Sequence, residues 1–133
     1  MVTGYALCMP RSRYLFKRSN QKIAMKVGID IVHIPKLEKL RSNEGFMKKV
    51  FHPAEYGRAE HLAGIFAAKE AFFKAINKQP DWLQIEVRKE KSGRPALVIA
   101  QALQKEMNIQ DSDVSISHEK DYAVATVVLK TNV

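Results

Sequence analysis

Apolar and polar residues alternate over residues 26–32, which predicts a strand. Pro35 follows where a helix favours its first residue and opens a short helix over 35–40. Residues 45–51 form a second short segment, and His52-Pro53-Ala54-Glu55 reads as another helix start with proline in its first turn. The clearest helix spans 62–77, LAGIFAAKEAFFKAIN. There Leu62, Ile65, Phe72 and Ile76 recur near a 3.6-residue period and alanines fill much of the rest. Gln79-Pro80-Asp81 ends it. Leu83, Ile85 and Val87 alternate with Gln84, Glu86 and Arg88, a half-buried strand, and residues 91–95 turn the chain into the apolar run 96–100. A short helix over 101–107 precedes two last strands, 114–118 and 122–129, joined by Glu119-Lys120-Asp121. The order is β, α, α, β, β, α, β, β. Strands linked by short turns predict a mainly antiparallel sheet packed on one long central helix, an α+β fold.

Composition adds limits to this picture. With 133 residues, 46% apolar and 27% charged, the chain is one globular domain. A domain this long buries roughly two thirds of its unfolded surface and needs neither disulfides nor a structural metal. Its single cysteine, Cys8, excludes an intrachain disulfide and points to the reducing cytoplasm. The longest apolar runs, 96–100 and 123–129, fall far short of the ~20 residues of a membrane span. The net charge of +8 is concentrated at one end: residues 1–24 hold five of the 22 basic residues and none of the 14 acidic ones, leaving +3 for the remainder. The overall basicity therefore says little about nucleic acid, and none is expected as a partner. Residues 1–24 show no clear helical or alternating period and lack the apolar centre of an export signal, while Pro10 interrupts any amphipathic targeting helix. Met25 stands directly before the first strand. Residues 1–24 read as an N-terminal extension to a domain over 25–133.

Three clusters carry candidate chemistry. Asp30 lies in the apolar strand Gly28-Ile29-Asp30-Ile31-Val32. A carboxylate there is either exposed or capping, or it is paired with a cation, because burying it alone is costly. Glu70 and Lys74 stand one helical turn apart and share a face. They form either a surface ion pair or, with small neighbours such as Ala67, Ala68 and Ala71, a place where a hydrated divalent ion and a phosphate sit side by side. Ser117 and His118 end a strand, where adjacent residues face opposite ways, which argues against a nucleophile pair. No spacing of histidines and Cys8 suits zinc. Gly93-Arg94-Pro95 is turn chemistry, with Arg94 most simply solvated. Lys36, Lys39, Arg41, Lys48 and Lys49, interrupted by Glu38 and Glu44, form a basic surface that is either merely solvated or a dock for an acidic protein.

Taken in order, GIDIV at 28–32, FAAKEAFFKA at 66–75, GRP at 93–95 and VSISH at 114–118 with the following DYAVATVV resemble the small 4′-phosphopantetheinyl transferases, specifically the bacterial holo-acyl-carrier-protein synthase group. The likeness spans about residues 25–129. It implies a single domain of that family's α+β fold. It also implies transfer of the phosphopantetheine arm of coenzyme A to a serine of an acyl carrier protein, releasing adenosine 3′,5′-bisphosphate in support of fatty acid biosynthesis. By position, Asp30 and Glu70 resemble the family's Mg²⁺ ligands, and Lys74 the amine beside the pyrophosphate. Glu70 and Lys74 are thus the catalytic candidates, while Lys74, Gly93, Arg94, Pro95, Ser117 and His118 match positions that bind coenzyme A. The serine's proton has two candidate acceptors, Glu70 or a metal-bound water. The resemblance further implies a homotrimer with active sites between subunits.

The chain departs from the family pattern at several points. Val32 stands where larger members of the superfamily carry a third carboxylate, which favours the small group. Ile65 replaces a usual arginine, Lys36 replaces an arginine that commonly contacts the carrier, and Asn77-Lys78-Gln79 replaces a usual Gly-Thr-Gly. Losing a guanidinium removes bidentate phosphate binding. A non-catalytic relative that binds coenzyme A or an acidic carrier protein is therefore the rival expectation.

Overall fold

A computed structural model of the chain describes residues 14–18 and 21–132. The elements run β1 (Tyr14–Arg18), β2 (Gln21–His33), α1 (Ile34–Leu40), α2 (Glu44–Val50), α3 (Ala59–Ile76), β3 (Ile85–Lys89), β4 (Pro95–Ile99), α4 (Gln101–Glu106), β5 (Ile109–Glu119) and β6 (Tyr122–Asn132). Short 3₁₀ turns occupy Pro53–Glu55 and Trp82–Gln84. All strand pairs are antiparallel, as expected, but they form two sheets: β1-β2-β6-β5 and the separate hairpin β3-β4. Several elements are longer than periodicity suggests. α3 begins at Ala59, β2 at Gln21 and β5 at Ile109, whereas Leu83 belongs to a 3₁₀ turn rather than a strand. Within the segment read as a patternless leader, Tyr14–Arg18 pairs with Gln21–Met25 of β2. Cys8 and Pro10 lie outside the described residues.

The long helix α3 organises the molecule. Glu60 in its first turn and Lys74 in its last complement the helix dipole. Asn77 ends it in the left-handed conformation at φ 56°, with the Lys78 N–H bonded to the Phe73 carbonyl at 3.1 Å. Beneath it, Ala68, Ala71, Phe72 and Ile76 pack with Val114, Ala125, Val127 and Leu129 of the sheet in one core cluster. A second cluster joins Leu62, Ala63 and Ile65 to Leu37 of α1 and to Val50 and Phe51. Strand and helix approach closely at Gly28, where a Cβ would stand 1.8 Å from the Ala71 carbonyl oxygen.

A buried ion pair anchors α3 on its other side. Lys69 and Glu55 are fully buried, with Nζ donating to Glu55 Oε1 and to the Val50 carbonyl, each at 2.7 Å. Glu55 also accepts the backbone N–H groups of His52 at 2.8 Å and Val87 at 2.9 Å. One carboxylate thus ties the 3₁₀ turn to α3 and β3. Burial pulls the Lys69 amine below its ordinary range, and the hydrogen bond to Glu55 opposes this.

Candidate active site

Alternation along β2 turns Gly28, Asp30 and Val32 toward α3 and leaves Val27, Ile29 and Ile31 on the outer face, each more than half exposed. The apolar residues around Asp30 in sequence are therefore not its surroundings in space. Its neighbours are the charged groups in the last turns of α3. Lys74 Nζ donates to Asp30 Oδ1 at 2.8 Å and to the Ile29 carbonyl at 3.1 Å. The ion pair suggested by the spacing of Glu70 and Lys74 is thus made by Lys74 with Asp30 instead. The strand approaches the helix so closely at Gly28 that Asp30, two residues on, lies within reach of the lysine.

Glu70 is half-buried, and its carboxyl is pushed above the usual carboxylate range, chiefly by burial and further by the charge of Asp30, with Lys74 opposing. Two carboxylates that feel each other's charge offer hard oxygen donors to a cation. Mg²⁺ suits such a pair, because it takes one or two protein carboxylates and keeps waters or substrate phosphates for its other positions. Among the described residues no group of three or more metal-binding side chains occurs. Glu70 and Lys74 also line an open pocket of about 340 Å³ at the C-terminal end of α3.

The remaining site candidates lie elsewhere on the chain. Gly93 takes a positive φ of 88° in the β3–β4 turn, which a side chain would strain. Beside it, Arg94 Nη2 reaches both carboxylate oxygens of Asp113 on β5 at 2.8 Å, so its guanidinium is partnered rather than simply solvated. Pro95 opens β4. His118 Nε2 lies 3.0 Å from the Glu60 carbonyl in the first turn of α3, ten residues or about 15 Å along the helix from Glu70. Ser117 is exposed, in register with Val124 and through it with Ile31 on the outer face, so Ser117 and His118 do point apart. Within one chain, Asp30, Glu70 and Lys74 converge, while His118 belongs to the far end of the helix. Ile65, at the position of a usual arginine, is 3% exposed in the second core cluster. Sequence reasoning missed that Lys69, next to Glu70, is a buried partner of Glu55. The paired period of Lys69 with core residues Phe72, Phe73 and Ile76 was the available signal.

The chain is similar to known proteins along most of its length. A family model described as the 4′-phosphopantetheinyl transferase superfamily matches residues 26–127. The chain is 37% identical over 119 residues to a holo-[acyl-carrier-protein] synthase of Campylobacter hominis, covering 78% of this chain and 96% of that one. It is 37% identical over 118 residues to the synthase of Bacillus velezensis, covering 78% and 93%. Among solved structures, the Helicobacter pylori holo-[acyl-carrier-protein] synthase in complex with coenzyme A matches at a TM-score of 0.73 and 32% identity, covering 77% of this chain and 98% of that one. The Chronobacterium ammoniagenes synthase–coenzyme A complex matches at 0.67 and 38%, covering 81% and 98%. The chain belongs to the 4′-phosphopantetheinyl transferase superfamily, within its group of holo-[acyl-carrier-protein] synthases.

Proposed function

We propose that this synthase transfers 4′-phosphopantetheine from coenzyme A to a serine of an apo acyl carrier protein in the presence of Mg²⁺, releasing adenosine 3′,5′-bisphosphate. The observation that carries this reading is the convergence of Asp30, Glu70 and Lys74 from β2 and α3. The serine oxygen of the carrier attacks the phosphorus that bears the pantetheine arm. A new P–O bond forms as the bond to the bridging oxygen breaks, and the bisphosphate departs with that oxygen. Asp30 and Glu70 would hold Mg²⁺, which supplies charge neutralisation on the pyrophosphate oxygens. Lys74 adds an ammonium whose position is set by Asp30 and the Ile29 carbonyl. Glu70, or a water beside it, accepts the serine proton in this reading.

The transferase domain in this reading is residues 25–133, with 1–24 an extension. The exposed lysines of α1 and α2 suit an acidic carrier, with Lys36, Lys39, Lys48 and Lys49 all at the surface. Gly93, Arg94, Pro95, Ser117 and His118 line the nucleotide end of coenzyme A. Since His118 is remote from Glu70 in one chain, the reading places each active site between subunits of a homotrimer. The apolar outer face of β2, with Val27, Ile29 and Ile31 exposed at 55, 60 and 61%, supports such an assembly. Among the described residues no helix is long and apolar enough to cross a membrane, and a cytoplasmic role in fatty acid biosynthesis is consistent with that.

Intact-mass spectra of apo carrier incubated with the protein, coenzyme A and Mg²⁺ test the proposal. The expected result is a phosphopantetheine adduct, absent with EDTA and reduced at least about 100-fold in rate by Asp30→Ala or Glu70→Ala. Normal coenzyme A binding with no adduct on any carrier would instead establish the binding-only relative.

A further inference from the structure

The pocket beside Glu70 and Lys74 has a second wall built by the loop that ends α3. Glu70, Phe73 and Lys74 belong to one helix face, and the left-handed turn at Asn77 folds Lys78, Gln79 and Pro80 back toward it. The pocket therefore has two lysines of different availability. Lys74 is committed to Asp30 and the Ile29 carbonyl. Among the described residues the Lys78 ammonium is held by Glu106 of α4 alone, with the two side chains 39% and 58% exposed. Exposed pairs of this kind hold weakly, so an anion entering the pocket can draw Lys78 away from Glu106 at small cost.

We propose that Lys78 is a specificity-determining residue that contacts a phosphate of coenzyme A in this pocket, with Glu106 as its competing partner. The inference rests on the transferase reading above. A lysine is a compact point charge on a flexible stem, suited to following a phosphate without fixing its angle. Glu106 reaches Lys78 from outside the helix and opposes substrate by charge, so the two residues act on coenzyme A affinity with opposite sign.

Steady-state transfer kinetics, with coenzyme A and the carrier varied separately at one ionic strength, test this. Lys78→Gln is expected to raise KM for coenzyme A about fivefold while kcat changes less than twofold, and Glu106→Gln to lower that KM about twofold. KM for the carrier stays within twofold in both. The inference is overturned if both variants leave KM for coenzyme A unchanged while their melting temperatures fall together, which marks a structural pair alone. It is equally overturned if the effect falls on the carrier's KM. Should the wild-type protein transfer nothing to any carrier, the transferase reading fails. Calorimetric titration of coenzyme A into wild type and both variants then decides the role of Lys78 by the same opposite shifts in Kd.

Discussion

Burial raises the pKa of Glu70, and the negative charge of Asp30 beside it raises it further. Folding favours the protonated form of Glu70. Its contribution to stability is therefore full below the ordinary carboxyl range and is lost as pH rises through the higher folded value. Glu70→Gln is expected to melt above the wild type at neutral pH without divalent ions, the gain vanishing below about pH 4, where both side chains are neutral. Mg²⁺ should raise the melting temperature of the wild type and not of the variant. Thermal melts at several pH values with and without Mg²⁺ check all three statements, and an equal response of both proteins to Mg²⁺ would remove Glu70 from the ligand set. At this scale the sequence singled out Asp30, Glu70 and Lys74 but not the pairing among them. The spacing of Glu70 and Lys74 is local, whereas the Asp30–Lys74 contact depends on how closely a strand 44 residues away approaches the helix. Lys69 shows the same limit from the other side, since two adjacent charged residues look alike in sequence although one is fully buried.

Gly28 and the Glu55–Lys69 pair together hold α3 in place. A Cβ at residue 28 would collide with the Ala71 backbone, which has no flexible end to move aside. Gly28→Ala should cost about 1–3 kcal/mol in urea unfolding, and transfer by the folded fraction should fall because the helix carrying Glu70 and Lys74 must lift from β2. Lys69→Met leaves a buried carboxylate without its cation and should cost about 3–5 kcal/mol. Replacing Glu55 by leucine as well should not restore stability, because the His52 and Val87 N–H groups then lose their acceptor. Urea titration of the single and double variants measures this. The existence and type of most helices and strands were legible from periodicity and turn residues, but β1, in a stretch without a period, and one of the three helices before the β3-β4 hairpin were missing from the expected order. The extents of the elements were not legible: Ala59 and Glu60 precede the apolar stripe of α3, and the polar stretch Gln110-Asp111-Ser112-Asp113 extends β5 through pairing with β6 rather than by its own pattern. The separation of β3-β4 into its own sheet likewise leaves no mark in the spacing of its turn.

For the whole molecule, the outer face of β2 is the largest departure from a chain that buries its apolar residues. Ile29→Glu introduces a charge there without touching the core, and if the proposed trimer forms through this face, sedimentation should then report monomer, with transfer lost alongside assembly. A trimer unaffected by Ile29→Glu would place the interface elsewhere. The fold class was readable from the order of elements. The unequal use of the two faces of β2 was not, because alternation tells which residues share a face and not which face meets the helix. The hairpin partner of β2 raises a separate matter. β1 pairs only with Gln21–Met25, so among the described residues the flank of β2 from Lys26 to His33 meets no strand on the side away from β6. Lys74 fastens to the Ile29 carbonyl within this stretch. An ammonium on an unpaired sheet border also wards off strand addition by another chain. On this argument the lysine proposed to steady a pyrophosphate has a second duty, and Lys74→Gln is expected to gather into β-rich precipitate faster than the wild type, as light scattering of the two at equal concentration would show.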